Sequence, residues 1–121
     1  MLRPTKAEID QILKNAIEAV RKNDVQFVNM RKSINELMEL GLSIDESVRL
    51  LFPALMEIVS ENYAGKNPPQ RSQDKNHSTE AKGLELFVFV WESKVFGLKM
   101  YLKISYTKKF LFIYSIHKAN H

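Results

Sequence analysis

Apolar residues recur every three or four positions through the first half of the chain, and at every second position in a segment near its end. The first spacing is that of one face of an α-helix, and the second is that of one face of a β-strand. This order predicts a single α+β domain in which N-terminal helices pack on a small C-terminal antiparallel sheet. We divide the 121 residues into a helical part over 1–63, a polar loop over 64–83 and a three-stranded sheet over 84–118.

Two capping boxes mark where helices begin. In Thr5-Lys6-Ala7-Glu8 and again in Ser43-Ile44-Asp45-Glu46, a hydroxyl residue is followed three positions later by Glu, so that each side chain can cap the other's backbone amide. The first box predicts an amphipathic helix over about 6–22, and the second a helix over about 44–52.

Two further helices are predicted from apolar spacing and from breakers. A helix over about 30–40 should turn four apolar residues inward and end at Gly41. Pro53 is unfavourable inside a helix but suits a first turn, so a separate short helix is expected over 53–61. The four inward residues are Met30, Ile34, Leu37 and Met38.

The strand over 98–106 has the most regular alternation. Its even-numbered residues are mainly apolar, whereas Lys99, Tyr101 and Lys103 lie on the other face, with about 6.5–7 Å between successive side chains. This spacing is of the same order as that of phosphates along a nucleic-acid strand. Lysines can hold phosphates and an aromatic ring can stack on a base. The alternative is an ordinary exposed strand surface, for which Lys and Tyr are common residues.

Charge is unevenly distributed. The net charge is +4, but residues 94–121 contain six lysines and no acidic residue, which leaves −2 for residues 1–93. A basic end of this kind indicates a polyanion or an acidic protein as partner, or else lysines that protect a sheet edge.

Several classes of function are disfavoured by composition. There is no cysteine, so disulfides and thiolate metal sites are excluded. His77, His117 and His121 have no ligand spacing, and we expect neither a metal nor another cofactor. No apolar run approaches the ~20 residues of a membrane span. We therefore expect a cytoplasmic protein without a membrane partner and without a targeting segment.

A metal-free ribonuclease remains compatible with these residues. The RNA 2′-hydroxyl is the nucleophile, so the protein needs only a base, an acid and a cation for the phosphate. His117 has a side chain that titrates naturally near neutral pH, and a desolvated lysine can also act as a base. A lone strand-end histidine is, however, more often hydrogen-bonded to backbone.

Five short segments, in order, resemble bacterial toxins of the MqsR type within the RelE-like group. They are RKSINELMELGLSID at 31–45, ENYAG at 61–65, GLELFVF at 83–89, MYLKI at 100–104 and YSIH at 114–117.

This resemblance implies a RelE-like fold and the toxin of a type II toxin–antitoxin system. Such a toxin is an mRNA interferase, an endoribonuclease that cuts messenger RNA without a metal and is inhibited by a cognate antitoxin. The catalytic positions of the family fall on Tyr101 and His117, with Lys103 on the adjacent strand position. Two other polar positions of the family fall on Ala64 and near Val88.

The expected site therefore consists of catalytic and RNA-binding residues. Tyr101, His117 and Lys103 form the catalytic set, and Lys99, Lys66 and Lys118 are the expected RNA contacts. The alternative is a non-catalytic module of the same fold that binds RNA or an acidic protein. A third hypothesis is an interaction protein that docks through its first helix.

Overall fold

Three helices precede most of a four-stranded sheet in a computed structural model, which describes residues 2–72, 83–107 and 110–120. The predicted α+β class is thus confirmed. The elements are, in chain order, α1 (Lys6–Arg21), β1 (Val25–Phe27), α2 (Met30–Glu39), α3 (Ile44–Glu57), a 3₁₀ turn (Ser60–Asn62), β2 (Phe87–Ser93), β3 (Leu98–Tyr106) and β4 (Leu111–Lys118).

The sheet has the strand order β1-β4-β3-β2. Strands β2, β3 and β4 form the predicted antiparallel meander, but β1 adds a short parallel strand beside the first half of β4. The sheet therefore has four strands rather than the predicted three, and it is antiparallel only in part. The apolar side chains Val25 and Phe27 pack against the main core, and this packing fixes β1 at the sheet edge.

Helices α1 and α3 cover one face of the sheet, which we call the core face. Both predicted capping boxes are present, at Thr5 with Glu8 and at Ser43 with Glu46. The apolar stripe of α1 is buried against α3 and the sheet. The fully buried side chains of the strands on this face are Phe89, Met100, Leu102, Ile104, Leu111, Ile113 and Ile116.

Helix α3 continues through Pro53, so the predicted break at 53 and the separate helix over 53–61 are wrong. Pro53 is exposed on the outer side of the helix. Leu51, Ala54 and Leu55, on either side of it, are each only 1% exposed, and their burial offsets the missing backbone hydrogen bond.

Helix α2 does not lie on the core face as expected. Of its four apolar residues predicted to face inward, only Leu37 is buried, whereas Met30, Ile34 and Met38 are 48%, 41% and 68% exposed. The helix packs along β4 at the sheet edge and ends at Gly41, whose φ of 73° is the left-handed conformation typical of a helix C-terminus. Its polar side chains Lys32 and Glu36 face β4 instead.

Strand β4 contains a β-bulge. Ser115 pairs with Lys103, but the next pair is Ile113 with Ile104, so Tyr114 is an extra residue in β4. The bulge allows Ile113 and Ile116, three positions apart, both to reach the core face. It also leaves Tyr114 and Ser115 both on the opposite face of the sheet, which we call the outer face.

The described part of the polar segment predicted as a loop over 64–83 runs along β2. The backbone amide of Ala64 donates to the Val88 carbonyl at 2.8 Å, and that of Leu86 donates to the Gln70 carbonyl at 2.7 Å. An isolated bridge joins Arg71 to Glu85. Residues 73–82 of the segment, including His77, lie outside the described residues, as do Lys108, Lys109 and His121.

The hairpin between β2 and β3 is fastened to α3 by one carboxylate. Glu57 accepts hydrogen bonds from Trp91 Nε1 at 3.1 Å and Ser93 Oγ at 2.7 Å. It also accepts from the backbone amides of Lys94 at 2.7 Å and Val95 at 3.2 Å. Burial alone raises the pKa of Glu57, but these four donors outweigh it and bring the pKa below its ordinary value.

None of the helices in the described part of the chain combines the length and the apolar character that crossing a bilayer requires.

Candidate functional site

The candidate site consists of two rows of side chains that run across the outer face. The base row contains Glu36 of α2, His117 of β4 and Tyr101 of β3. The lysine row contains Lys32 of α2, Ser115 of β4 and Lys103 of β3. Tyr101 pairs with His117 and Lys103 with Ser115 in the β3–β4 register, and directly opposed residues share a face of the sheet.

On β2 both rows end at a valine. Val90 lies opposite Tyr101, and Val88 lies opposite Lys103. Ala64, held against the Val88 carbonyl, borders the same area. The two positions at which the chain departs from the toxin pattern, Ala64 and Val88, are therefore neighbours beside Lys103, and neither supplies a polar side chain.

Helix α2 contributes the first residue of both rows because the distance between its residues 32 and 36 matches that between alternate residues of β4. Residues four apart on a helix differ by about 6 Å in height, close to the ~6.7 Å between alternate residues of a strand. Lys32 and Glu36 therefore meet successive outer-face residues of β4. They also contact the backbone of β4 beyond the residues that pair with β1. Glu36 Oε1 accepts from the Ile116 amide at 3.3 Å, and Lys32 Nζ lies 3.5 Å from the Tyr114 carbonyl.

In the base row, the rings of Tyr101 and His117 are stacked. Their centroids are 4.6 Å apart and their planes differ by 10°. His117 Nδ1 lies 2.7 Å from the backbone carbonyl oxygen of Lys118, which can only accept a hydrogen bond. This contact assigns the proton of the neutral ring to Nδ1 and leaves Nε2 as the basic nitrogen. Nε2 lies 3.8 Å from Glu36 Oε2, within reach of an ion pair once it is protonated.

The Tyr101 phenol is kept neutral. Burial raises its pKa above the ordinary value of 10.0, and the Glu36 carboxylate adds to the effect. At physiological pH Tyr101 is therefore a hydrogen-bond donor rather than a phenolate.

The lysine row joins the Lys32 ammonium to a serine that lies opposite Lys103. Lys32 Nζ donates to Ser115 Oγ at 2.6 Å, and Ser115 lies directly opposite Lys103 in the sheet. Burial lowers the pKa of Lys103 below its ordinary 10.5, and the positive charge of Lys32 lowers it further. In the described ranges, no carboxylate pairs with the Lys103 ammonium.

Two other expected RNA contacts border Tyr101 on opposite sides. A cavity of about 290 Å³ is lined by Lys66, Gln70, Tyr101 and Lys103 among others. A second cavity of about 350 Å³ is lined by Lys99, Tyr101 and His117 among others. Four of the residues expected to act together, Tyr101, His117, Lys103 and Lys99, thus share the outer face, and Lys66 reaches it from the segment beside β2.

Lys118 is not part of this group. It follows His117 in the strand and pairs with Met100, whose side chain is in the core, so it belongs to the opposite side of the sheet. Lys94 lies in the turn between β2 and β3. The described lysines of β3 and β4 are consequently divided between the two sides of the sheet.

Three site residues were missed from the sequence, namely Lys32, Glu36 and Ser115. The i, i+4 spacing of Lys32 and Glu36 is visible in the sequence, but it resembles an ordinary pair on a solvated helix face. Ser115 was hidden by the bulge. Over residues 2–72, 83–107 and 110–120, no three His, Asp or Glu side chains form a group suited to a metal ion.

No protein-family model and no curated protein matches this chain. The resemblance to MqsR-type toxins therefore stays a prediction from short sequence motifs.

Proposed function

We propose that this protein is a metal-independent endoribonuclease, the toxin of a type II toxin–antitoxin system, that cleaves messenger RNA on the outer face of its sheet. The observation that carries the proposal is the stacked Tyr101–His117 pair beside Lys103. It combines, on one accessible surface, a basic nitrogen, a neutral phenol and an ammonium with which no carboxylate of the described residues pairs. These are the groups that cleavage through the RNA 2′-hydroxyl requires.

In the proposed mechanism His117 is the base. Its Nε2 removes the proton of the 2′-hydroxyl, and the resulting imidazolium faces the Glu36 carboxylate 3.8 Å away. The 2′-oxygen forms a bond to phosphorus, and the bond from phosphorus to the 5′-oxygen breaks. The products are a 2′,3′-cyclic phosphate and a 5′-hydroxyl.

Tyr101 and the lysines serve the phosphate and the leaving group. The neutral Tyr101 phenol donates its proton to the departing 5′-oxygen, and both Tyr101 and His117 regain their starting forms by proton exchange with water. Lys103 and Lys99 hold phosphates, and Lys66 approaches from the segment beside β2. Charge-assisted hydrogen bonds to phosphate are the strong ones, so these contacts also position the RNA.

The partner and the cellular setting belong to the same proposal. An antitoxin protein would neutralise the activity, and both proteins would act in the cytoplasm, where messenger RNA is found. A small adjacent gene encoding a DNA-binding protein would support this part, and it is tested directly by co-expressing the two proteins and measuring RNA cleavage.

The purified full chain should cleave single-stranded RNA in the presence of EDTA. We expect His117→Ala and Tyr101→Phe each to reduce the cleavage rate by about 10²-fold or more, since each removes a proton-transfer group. The products should carry 2′,3′-cyclic phosphate ends.

Tyr106→Phe is the matched control for Tyr101→Phe. Tyr106 is also on β3, but it packs against the core cluster, so its hydroxyl should not affect cleavage. Lys14→Met, at an exposed position of α1, controls for the loss of one positive charge. Equal cleavage by the wild type, His117→Ala and Tyr101→Phe proteins would exclude this site.

A non-catalytic RNA-binding module is the second candidate. It is favoured by Val88 and Ala64, which leave the β2 end of the lysine row apolar. Salt-sensitive RNA binding with no cleavage by the wild type would support this candidate over the nuclease, because phosphate contacts weaken steeply with salt.

A further inference from the structure

Two positively charged side chains of the lysine row lie on the outer face, and no carboxylate among the described residues forms an ion pair with either. Lys32 approaches from α2, where its Nζ contacts Ser115, and Lys103 lies opposite Ser115 on β3, near enough for the charge of Lys32 to lower the pKa of Lys103. The carboxylate of the base row, Glu36, accepts from the Ile116 amide and faces His117. The fold thus keeps together two cations that repel each other, an arrangement that a bound anion would relieve.

The Lys32 ammonium is held by Ser115 and, within the part of the chain that the structure describes, still has a free donor. An ammonium has three N–H groups. Ser115 Oγ takes one at 2.6 Å, and the Tyr114 carbonyl lies near a second at 3.5 Å. Ser115 is only 3% exposed, so it lies beneath the Lys32 ammonium and does not compete with a ligand above it.

There is also room for a ligand next to this pair. The 290 Å³ cavity beside Lys103 is bordered by Lys66 and Tyr101, and it opens onto the outer face. A phosphate group bound by the two lysines could therefore extend into a sugar and base on the Tyr101 side.

We propose that Lys32 and Lys103 form a clamp for one phosphate group of the RNA backbone, and that Ser115 is a positioning residue that holds the Lys32 ammonium. The inference rests on the proposed RNA substrate and extends it, because it makes α2 one wall of the RNA site. Lys32 contacts the substrate, whereas Ser115 acts only through Lys32.

Inorganic phosphate is the first probe, applied to the full chain with isotope-labelled lysines and followed by NMR. Phosphate should shift the side-chain signals of Lys32 and Lys103 and raise the pKa of Lys103, but leave Lys14 unchanged. Lys32→Met should reduce phosphate affinity by about tenfold or more and raise the pKa of Lys103 in the absence of phosphate. Lys32→Arg should retain binding, and Ser115→Ala should weaken it several-fold.

The second probe is a single-stranded RNA oligonucleotide, titrated at several salt concentrations. Lys32→Met should reduce the salt dependence by about one phosphate contact, whereas Lys14→Met should not. The clamp is overturned if Lys32→Met binds phosphate and RNA as Lys14→Met does. If Lys32→Met does not fold, unchanged lysine signals in wild type on adding phosphate overturn it equally.

These results can be separated from those of the cleavage experiment. Phosphate binding that depends on Lys32, in a protein that never cleaves RNA, upholds the clamp and overturns the nuclease. Cleavage that depends on His117, with phosphate and RNA affinities insensitive to Lys32, upholds the nuclease and overturns the clamp.

Discussion

The two faces of the sheet differ in the kind of side chain that they present and in how those side chains pack. On the core face, β2, β3 and β4 each contribute fully buried apolar side chains to a cluster shared with α1 and α3. The outer face has a smaller apolar cluster around Phe112 and Tyr114 at one end and the two polar rows at the other. The core face therefore supplies the stability that lets the outer face keep the Lys103 ammonium in a partly buried position that is unfavourable for folding.

Truncating one aromatic residue on the core face should have the largest effect on folding. Phe89 and Val88 are neighbours on β2 with side chains on opposite faces, and Phe89 is completely buried. Phe89→Ala should reduce the free energy of unfolding by about 4 kcal/mol. Val88→Ala should cost about 1 kcal/mol. Urea unfolding followed by circular dichroism measures both, and equal losses would contradict the division into two faces.

Removing the charge of Glu57 should have an intermediate effect. Glu57→Gln replaces a carboxylate that accepts four hydrogen bonds, and we expect a loss of about 2 kcal/mol at pH 7. Because the folded pKa is below the ordinary 4.5, this stabilisation is complete above pH 4.5 and is lost as pH falls through the folded pKa. The difference between variant and wild type should therefore shrink in acid. Glu39→Gln, at an exposed position of α2, is the control and should change little.

Removing the Lys103 charge should have the smallest effect on the free energy of unfolding, and this effect should be stabilising. Lys103→Met should stabilise the protein by about 0.5 kcal/mol while weakening RNA binding. The groups around this ammonium are Lys32 from α2, Tyr101 on its own strand and Lys66 across the cavity. Since the pKa of Lys103 is lowered in the folded protein, its charged form destabilises the fold at any pH below that pKa. This destabilisation disappears as the pH rises to the ordinary 10.5. The stability gain should fade over that range, and a loss of stability in Lys103→Met at pH 7 would contradict this account.

The parts that the sequence predicts well are those set by local chemistry. The capping boxes at Thr5 and Ser43 begin their helices as expected, since an N-cap depends only on neighbouring residues. The alternation of β3 also separates its buried residues from Lys99, Tyr101 and Lys103.

The parts that the sequence predicts poorly depend on where whole elements lie. Met30, Ile34 and Met38 have the spacing of a buried stripe, yet α2 lies at the sheet edge, where Lys32 and Glu36 face β4. The last strand is nearly all apolar, so its bulge is not visible in the pattern. The stacking of Tyr101 on His117 depends on the register between strands, which no single segment contains.

The extra residue in β4 makes assembly of the candidate site depend on correct pairing of the strand. If β4 paired without the bulge, every residue beyond Ile113 would turn over, so that His117 would enter the core and Ile116 would face solvent. Such a mispaired chain would lose apolar burial and bury unsatisfied polar groups at the same time. A chain that has folded stably has therefore also assembled Tyr101, His117 and Ser115 on the correct side.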